Sequence, residues 1–548
     1  MIDPEIGITQ AESLAKSGLS REAADAFAKL VDTGQSNYRI HHGYALTLMR
    51  SGQHELARGQ FREALSYEPN SIAVLSNLAV LNTRLGNPCA AEAMCRKILG
   101  MQSNHHPAWS NLGSALCQQG RISEGIEAFQ KALDLVPDDR IICDNLLLNL
   151  NYLATDGREL AEVHRILCNR IPARPRKPRS AEIRWPMRVG YVSSDFRSHP
   201  VSFFMAGIIG THDRKGFEIF CYSTTSEPDG RTENFRTLAD HFVDLSTFTD
   251  AEAAKRIEED RIDILIDLGG HTSGNPLGIF ALRPAAVQAS YLGYPATTGC
   301  SFIDYRVVDA LTDPEGSASL STERLIRLPA PFLSYNPHST SPKPSPLPAL
   351  SNGYITFGSF NNSSKISEDT LNLWCRVLSE VSDSRMFLKA RAFSDEVLCD
   401  RLRDQFHQRG IHPSRITFSG ILEDAQDHLA AYRSVDIALD TFPYNGTTTT
   451  CEALWMGVPV ITLVGSLHAA RVGLTLLTAV GLQGLAATSL DSFVGLSCAF
   501  SEDTNQLAQL RGNLRRIVKH SPLCDHSRLT RGLEDAYRQM LAVPFPVE

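Results

Sequence analysis

ALDTFPYNGTTTTCEALWMGVPVIT, residues 438–462, runs from an apolar strand through an Asn-Gly turn into a helix, then past Gly457 into a second β-branched strand. Strand, turn, helix and strand in that order build a parallel pair, the unit of an α/β domain. Four threonines, Thr447 to Thr450, stand where the helix opens. The first N–H groups of a helix have no internal partner, so hydroxyls around them make a cradle for phosphate oxygens. Working outward, the same alternation recurs in MRVGYVSSD, FEIFCYSTT, IDILIDLGG, VQASYLGYP and YRVVDA. After a proline- and serine-rich passage at 330–350 it resumes in YITFGSF, RMFLKAR, RITFSG and VPVITLVG. Two sets of strands split near residue 340 predict two doubly wound domains, with ligand bound at the carboxyl ends of strands in the cleft between them.

The first 150 residues follow another rule. Gly18, Gly52, Gly86 and Gly120 are spaced 34 residues apart, a period that marks a repeat array. Ala23, Ala57, Ala91 and Gly125 keep the phase as small residues for close helix approach. Phe27, Phe61, Cys95 and Phe129 keep it as fillers between repeats, and Pro69 and Pro137 close their repeats. Each unit reads as two antiparallel helices turning at the glycine. This resembles the tetratricopeptide repeat, with a fifth unit from about Arg140 whose Gly157 comes three residues late. Asn77, Asn111 and Asn145 also hold the phase, on the helix that lines the concave side of such solenoids. Regular amides there suit an extended peptide backbone, although amides bonding loops or facing solvent is the blander account. The predicted organisation is a solenoid over 1–171, a proline- and arginine-rich linker over 172–186, and Rossmann-like halves over 187–340 and 341–548.

Composition excludes several classes. The 548 residues are 43% hydrophobic and 21% charged with net charge −8, ordinary for a globular chain and contrary to a nucleic-acid binder. No apolar run approaches a membrane span. The opening MIDPEIGITQAESLAKSG has no basic and apolar leader pattern. Twelve scattered cysteines without a C-x-x-C read as reduced thiols of a cytoplasmic protein.

Polar residues gather at the strand ends. Asp195 and His199 follow the first strand; if that segment opens a helix, their i, i+4 spacing puts them on one face. His271 follows IDILIDLGG, and Lys365 follows YITFGSFNNSS. Lys365 would add a full charge to phosphates in the threonine cradle, and Glu452 would accept from a ribose hydroxyl. Taken singly, a lysine is usually a surface charge, a histidine a core or capping residue, and NGTTTT an ordinary N-cap. Their shared position at strand ends in both halves favours a site.

The motifs SSDF-x-x-HP, LGYP-x-T-x-G, F-x-N-x-x-K and LDT-x-x-x-NG-x-TT-x-x-x-LW-x-G-x-P-x-T resemble the protein O-GlcNAc transferases, GT-B glycosyltransferases with N-terminal tetratricopeptide repeats. The resemblance implies an inverting enzyme with UDP-N-acetylglucosamine as donor and protein serine or threonine hydroxyls as acceptors. It implies that Lys365 stabilises the departing diphosphate, with Asn362 beside it. His428 lies against the uracil, Thr448 and Thr449 bind phosphate, and Glu452 stands where animal members carry an aspartate on the ribose. His199 and Asp195 match the active-site pair, and Leu292, Gly293 and Pro295 match part of the sugar pocket. Thr447, where animal members have histidine, and His271 complete the donor set. Departures are Ala425, where those members have lysine, and Thr272-Ser273-Gly274-Asn275-Pro276, which lacks two basic residues. No D-x-D pair is present to hold an ion on the diphosphate, so no metal and no other cofactor are expected. The expected partners are a UDP-sugar and an acceptor protein along the repeat groove, with no nucleic acid or membrane. The alternatives are another UDP-hexose as donor, or a peptide-binding scaffold on an inactive transferase fold.

Overall fold

The computed structural model describes residues 4–176, 184–422 and 424–543; part of the proline- and arginine-rich linker lies outside them. Ten helices come first, in five antiparallel pairs from Pro4–Lys16 with Ser20–Asp32 to Arg140–Leu150 with Gly157–Cys168. Gly18, Gly52, Gly86 and Gly120 have φ of 79°, 78°, 78° and 76°, the left-handed turn that glycine enters without a Cβ penalty. Ala23, Ala57, Ala91, Phe27, Phe61, Cys95 and Phe129 are all buried. A Cβ on Gly125 would lie 2.3 Å from the Cys117 sulfur, so a small residue is required there. The fifth pair departs from the pattern. Gly157 opens its second helix instead of turning between the two, and it is pressed against Leu320 and Leu467 of the two α/β halves.

The remainder is two parallel sheets. The first contains β1 (Met187–Ser193), β2 (Phe217–Ser223), β3 (His241–Asp244), β4 (Ile264–Asp267), β5 (Val287–Tyr291), β6 (Tyr305–Asp309) and β7 (Arg324–Leu328), in the order β3-β2-β1-β4-β5-β6-β7. The second contains β8 (Thr356–Ser359), β9 (Arg385–Lys389), β10 (Ile416–Ser419), β11 (Ile437–Leu439), β12 (Val460–Leu463) and β13 (Ala486–Ala487), in the order β10-β9-β8-β11-β12-β13. Nearly every residue of the inner strands is buried, because helices cover both faces of a parallel sheet. Each sheet reverses its winding once, between β1 and β4 and between β8 and β11. The crevice at such a reversal is where an open α/β sheet receives its ligand.

Three contacts lock the parts together. The closing helix His526–Ala542 leaves the second half and packs on the first: Tyr537 meets Tyr191 through their hydroxyls at 2.8 Å, and Glu534 meets His212 at 3.0 Å. Ser363 Oγ, just after β8, donates to the Gln118 carbonyl of the fourth repeat at 2.7 Å. The turn at Gly86 abuts Arg391, whose side chain donates to the Arg84 carbonyl.

That last contact separates two otherwise equivalent glycines. A Cβ on Gly52 meets nothing within 4 Å, whereas one on Gly86 would lie 2.1 Å from the Arg391 carbonyl oxygen. Gly52→Ala is expected to cost only the left-handed backbone penalty of roughly 1–2 kcal/mol. Gly86→Ala is expected to cost clearly more in a urea titration. Equal midpoints for the two variants would show that the third repeat does not bear on the second half.

Candidate functional site

The second sheet builds a cationic cradle. Asp440 follows β11 and is buried. Its Oδ1 accepts from the N–H groups of Thr441 at 2.9 Å and Gly446 at 2.7 Å, and from Asn361 Nδ2 at 3.2 Å. Its Oδ2 accepts from Thr462 Oγ1 at 2.8 Å. The turn 441–446 is therefore wrapped around one carboxylate, and the helix Thr448–Trp455 starts directly beyond it. The N-cap residue Thr447 makes no side-chain cap bond, so the ordinary N-cap reading does not hold for this threonine and the helix start is left open. Thr449 Oγ1 donates to Asn361 Oδ1 at 2.9 Å, tying the helix to the end of β8. Asn362 is exposed and accepts from the Ser364 N–H at 3.1 Å.

Lys365 reaches this turn from β8. Its Nζ donates to the Asn445 carbonyl at 2.8 Å and stands 3.9 Å from the centre of the Tyr444 ring. Burial pushes its pKa down to about 8, against the pull of Asp440. Tyr444 stacks on Tyr152 of the fifth repeat at 5.2 Å, so the solenoid supports the surface on which the lysine rests.

Beside the cradle, three side chains form a chain. Lys389 Nζ, at the end of β9, donates to His428 Nδ1 at 2.6 Å, and His428 Nε2 donates to Glu452 Oε2 at 2.9 Å. In this order of donors the ring proton sits on Nε2 and faces Glu452. Burial lowers the Lys389 pKa, with Glu452 opposing. Lys389 was not among the expected residues, although a cation ending the apolar run RMFLK was its signal. It brings a charge to His428 where Ala425 brings none.

The first sheet supplies the opposing set. Asp195 and His199 follow β1, but the helix begins only at Pro200. The expected helical i, i+4 face is therefore not what pairs them: proline at the first helical position leaves both residues in the preceding loop. The loop itself brings His199 Nδ1 to 3.3 Å from Asp195 Oδ2. The Val201 N–H also points at Nδ1, at 3.4 Å. Nε2 is the ring nitrogen without a partner among the described residues. Burial raises the Asp195 pKa against the pull of His199. Burial lowers the His199 pKa, with Asp195 opposing.

Leu292, Gly293 and Pro295 follow β5. Leu292 has φ 74°, a strained value for a branched side chain of the kind that gathers at functional sites. A Cβ on Gly293 would lie 1.9 Å from the Leu268 carbonyl oxygen, so this loop lies directly on the end of β4. His271 stands apart from its expected place in the donor set. It is buried against the repeat domain, with Nδ1 2.6 Å from Asp144 and Nε2 2.6 Å from the Thr298 carbonyl. The reason is that the fifth repeat covers the loop after β4 and takes this side chain for the interface.

A cavity of about 610 Å³ joins all three parts. Arg84 and Gln118 line it from the repeats, Ser194, Arg197 and Gly274 from the first half, and Arg391 from the second. Ser194 puts it next to Asp195. Asn77, Asn111 and Asn145 lie half-buried on first helices of their pairs, and their side chains bond to none of the described residues.

The model of glycosyl transferase family 41 matches residues 163–339 and 347–533. The chain belongs to glycosyl transferase family 41. The family match covers both sheets, and a tetratricopeptide repeat model matches residues 106–139. A solved structure titled as a Thermobaculum terrenum O-GlcNAc transferase mutant is 34% identical. It superposes with a TM-score of 0.86 over 92% of this chain and 97% of that one. A Solanum lycopersicum protein named "Probable UDP-N-acetylglucosamine--peptide N-acetylglucosaminyltransferase SPINDLY" is 40% identical over 74% of this chain and 45% of its own length. A Caenorhabditis elegans UDP-N-acetylglucosamine--peptide N-acetylglucosaminyltransferase is 29% identical over 65% of this chain and 40% of its own length. The chain thus spans less than half the length of these curated relatives.

Asp440→Ala leaves the Thr441 and Gly446 N–H groups without their acceptor, each costing about 1–3 kcal/mol. It is expected to lower the thermal midpoint and weaken nucleotide binding together; an unchanged midpoint would refute the central place given to this carboxylate. Lys365 loses its charge as pH rises through about 8. Affinity for a nucleoside diphosphate is therefore expected to fall on the alkaline side, and the fall to disappear in Lys365→Met. A wild-type affinity that is flat with pH would take Lys365 out of the diphosphate contact.

Proposed function

We propose that this chain is an inverting transferase that moves N-acetylglucosamine from UDP-N-acetylglucosamine to serine or threonine hydroxyls of proteins. The observation that carries the reading is the pairing of two reversal points. One presents a cation beside an open helix start; the other presents a buried carboxylate beside a histidine. Family membership and the names of the relatives support the sugar and the acceptor.

In this scheme the acceptor oxygen bonds to the anomeric carbon from the face opposite UDP, while the bond from that carbon to the β-phosphate oxygen breaks. The charge gathering on UDP meets Lys365 and the N–H groups at Thr448 and Thr449. The hydroxyl proton passes to His199 Nε2, and the Asp195 carboxylate stabilises the imidazolium that forms. His428 and Glu452 face the nucleoside, Leu292, Gly293 and Pro295 the sugar, and the cavity at Arg84, Arg197 and Arg391 admits the acceptor. The repeat asparagines hold acceptor backbone without demanding a sequence. All twelve cysteines are free thiols, which fits the reducing conditions of a cytoplasmic enzyme. No described helix is long and apolar enough to cross a membrane.

Calorimetric titration with UDP, UDP-N-acetylglucosamine, other UDP-hexoses and GDP tests the donor. Preference for UDP and its N-acetylglucosamine derivative is expected; tighter binding of GDP would overturn the uridine assignment, and no nucleotide binding would favour a scaffold. Transfer is expected to persist when EDTA is added to the assay, since Lys365 and the helix start take the place of a diphosphate metal. Loss of rate in EDTA that magnesium or manganese restores would contradict this. Lys365→Ala is expected to reduce turnover by about 10²- to 10³-fold. Because burial holds His199 below its ordinary value, it is neutral and able to accept a proton down to pH values under about 6.5. The acid limb of kcat/KM is expected there, and further down in Asp195→Asn, which removes the charge that opposes the burial effect. An unmoved limb would place the base elsewhere.

A further inference from the structure

We propose that Cys168, His271 and Cys300, together with the main-chain carbonyl of Thr298, bind a divalent cation of the zinc class. The ion would clasp the last repeat helix to the first catalytic half. The three side chains come from different places: the final residue of the helix Gly157–Cys168, the loop after β4 and the loop after β5. All three are buried, and their ligand atoms lie within 4.8 Å of one another. None takes part in the transfer scheme.

The geometry suits a tetrahedral ion. Cys168 Sγ and His271 Nε2 are 3.5 Å apart. With Zn–N near 2.0–2.1 Å and Zn–S near 2.3 Å, the edge of a tetrahedral site is about 3.5 Å. The Thr298 carbonyl oxygen is 2.6 Å from His271 Nε2, 3.0 Å from Cys168 Sγ and 3.5 Å from Cys300 Sγ. Three protons thus converge on one oxygen that offers two lone pairs. A cation in their place uses all four atoms as ligands: both thiols and His271 Nε2 give up their protons to solvent as it binds. The imidazole–carbonyl edge must open by roughly 0.8 Å and the Cys168–carbonyl edge, at 3.0 Å, by roughly 0.6 Å to reach the tetrahedral values.

The surroundings match what a metal-bound histidine requires. Asp144 Oδ1 is 2.6 Å from His271 Nδ1, and its other oxygen accepts from Asn275 Nδ2 at 2.7 Å. A carboxylate behind the ring fixes the tautomer that leaves Nε2 for the metal. A cavity of about 260 Å³, lined by Arg140, Asp144, Cys168, Arg170 and His271 among others, gives a route from the surface. Because the ligand shell is closed by a carbonyl and contains two sulfurs, the site is structural and soft, distinct from any ion on a diphosphate.

The full chain, prepared in reductant without chelator, is assayed by elemental mass spectrometry and by reconstitution with cobalt(II). About one zinc per chain is expected, with cobalt giving the visible bands of a tetrahedral thiolate site. Cys300→Ser and His271→Gln should lose most of the metal, and Asp144→Asn should weaken it by about 10- to 100-fold. A wild-type chain that neither carries zinc nor takes it up on titration overturns the proposal. So does a Cys300→Ser chain with full zinc content and an unchanged cobalt spectrum, or an intact mass showing Cys168 and Cys300 joined as a disulfide. The wild-type readings decide the matter even if a variant folds poorly, and UDP titration of the same samples reports separately on the transferase assignment.

Discussion

The carboxylate of Asp440 is the constraint on which the candidate site depends. A loop leaving a buried parallel strand carries N–H groups that no neighbouring strand can satisfy, and a carboxylate at the strand end supplies the missing acceptors. Asp440 does this for Thr441 and Gly446, and in doing so it curls the turn so that the helix after it opens toward the crevice. The same device recurs in the first sheet. Asp267, the last residue of β4, accepts from the N–H groups of Gly269 and Gly270 at 2.9 Å, and Asp309, the last residue of β6, accepts from those of Leu311, Thr312 and Phe332 at 2.8 Å. Burial raises the pKa of both Asp267 and Asp440, the cost of holding a charge inside that its hydrogen bonds must offset.

The solenoid contributes to the candidate site itself. Tyr152 backs Tyr444, which lies under the Lys365 ammonium, and the Gln118 carbonyl holds Ser363 two residues before that lysine. Asp144 reaches His271 and Asn275 beside the reversal point of the first sheet. The fourth and fifth repeats therefore form part of the wall of both half-sites. Changes in these repeats reach the cradle, because a buried lysine over an aromatic ring responds to small displacements of the ring.

A departure at one position in sequence can be met from another in space. Ala425 carries no charge toward His428, yet Lys389 delivers one from the end of β9. Thr272-Ser273-Gly274-Asn275-Pro276 carries no basic residue, yet Arg84, Arg197 and Arg391 line the cavity that Gly274 helps to form. Each of these cations comes from a segment distant in the chain from the position it serves.

The sequence alone determined the repeat phase, the two α/β halves and most of the cradle, because these rest on local rules. Glycine is demanded at a left-handed turn every 34 residues, β-branched runs mark buried strands, and NGTTTT marks a helix start. Asp195, His199 and Lys365 were legible because they sit within a few residues of strands whose ends are predictable. What the tertiary structure decided was everything set by a partner distant in the chain. His271 looked like a residue of the donor site and is instead held by Asp144 of the repeats. Asp195 and His199 meet through a loop, since Pro200 delays the helix that the spacing suggested. The contact of Lys389 with His428 and the meeting of Cys168, His271 and Cys300 were not legible, because these partners are assembled by sheet order and domain docking, which sequence periodicity does not encode.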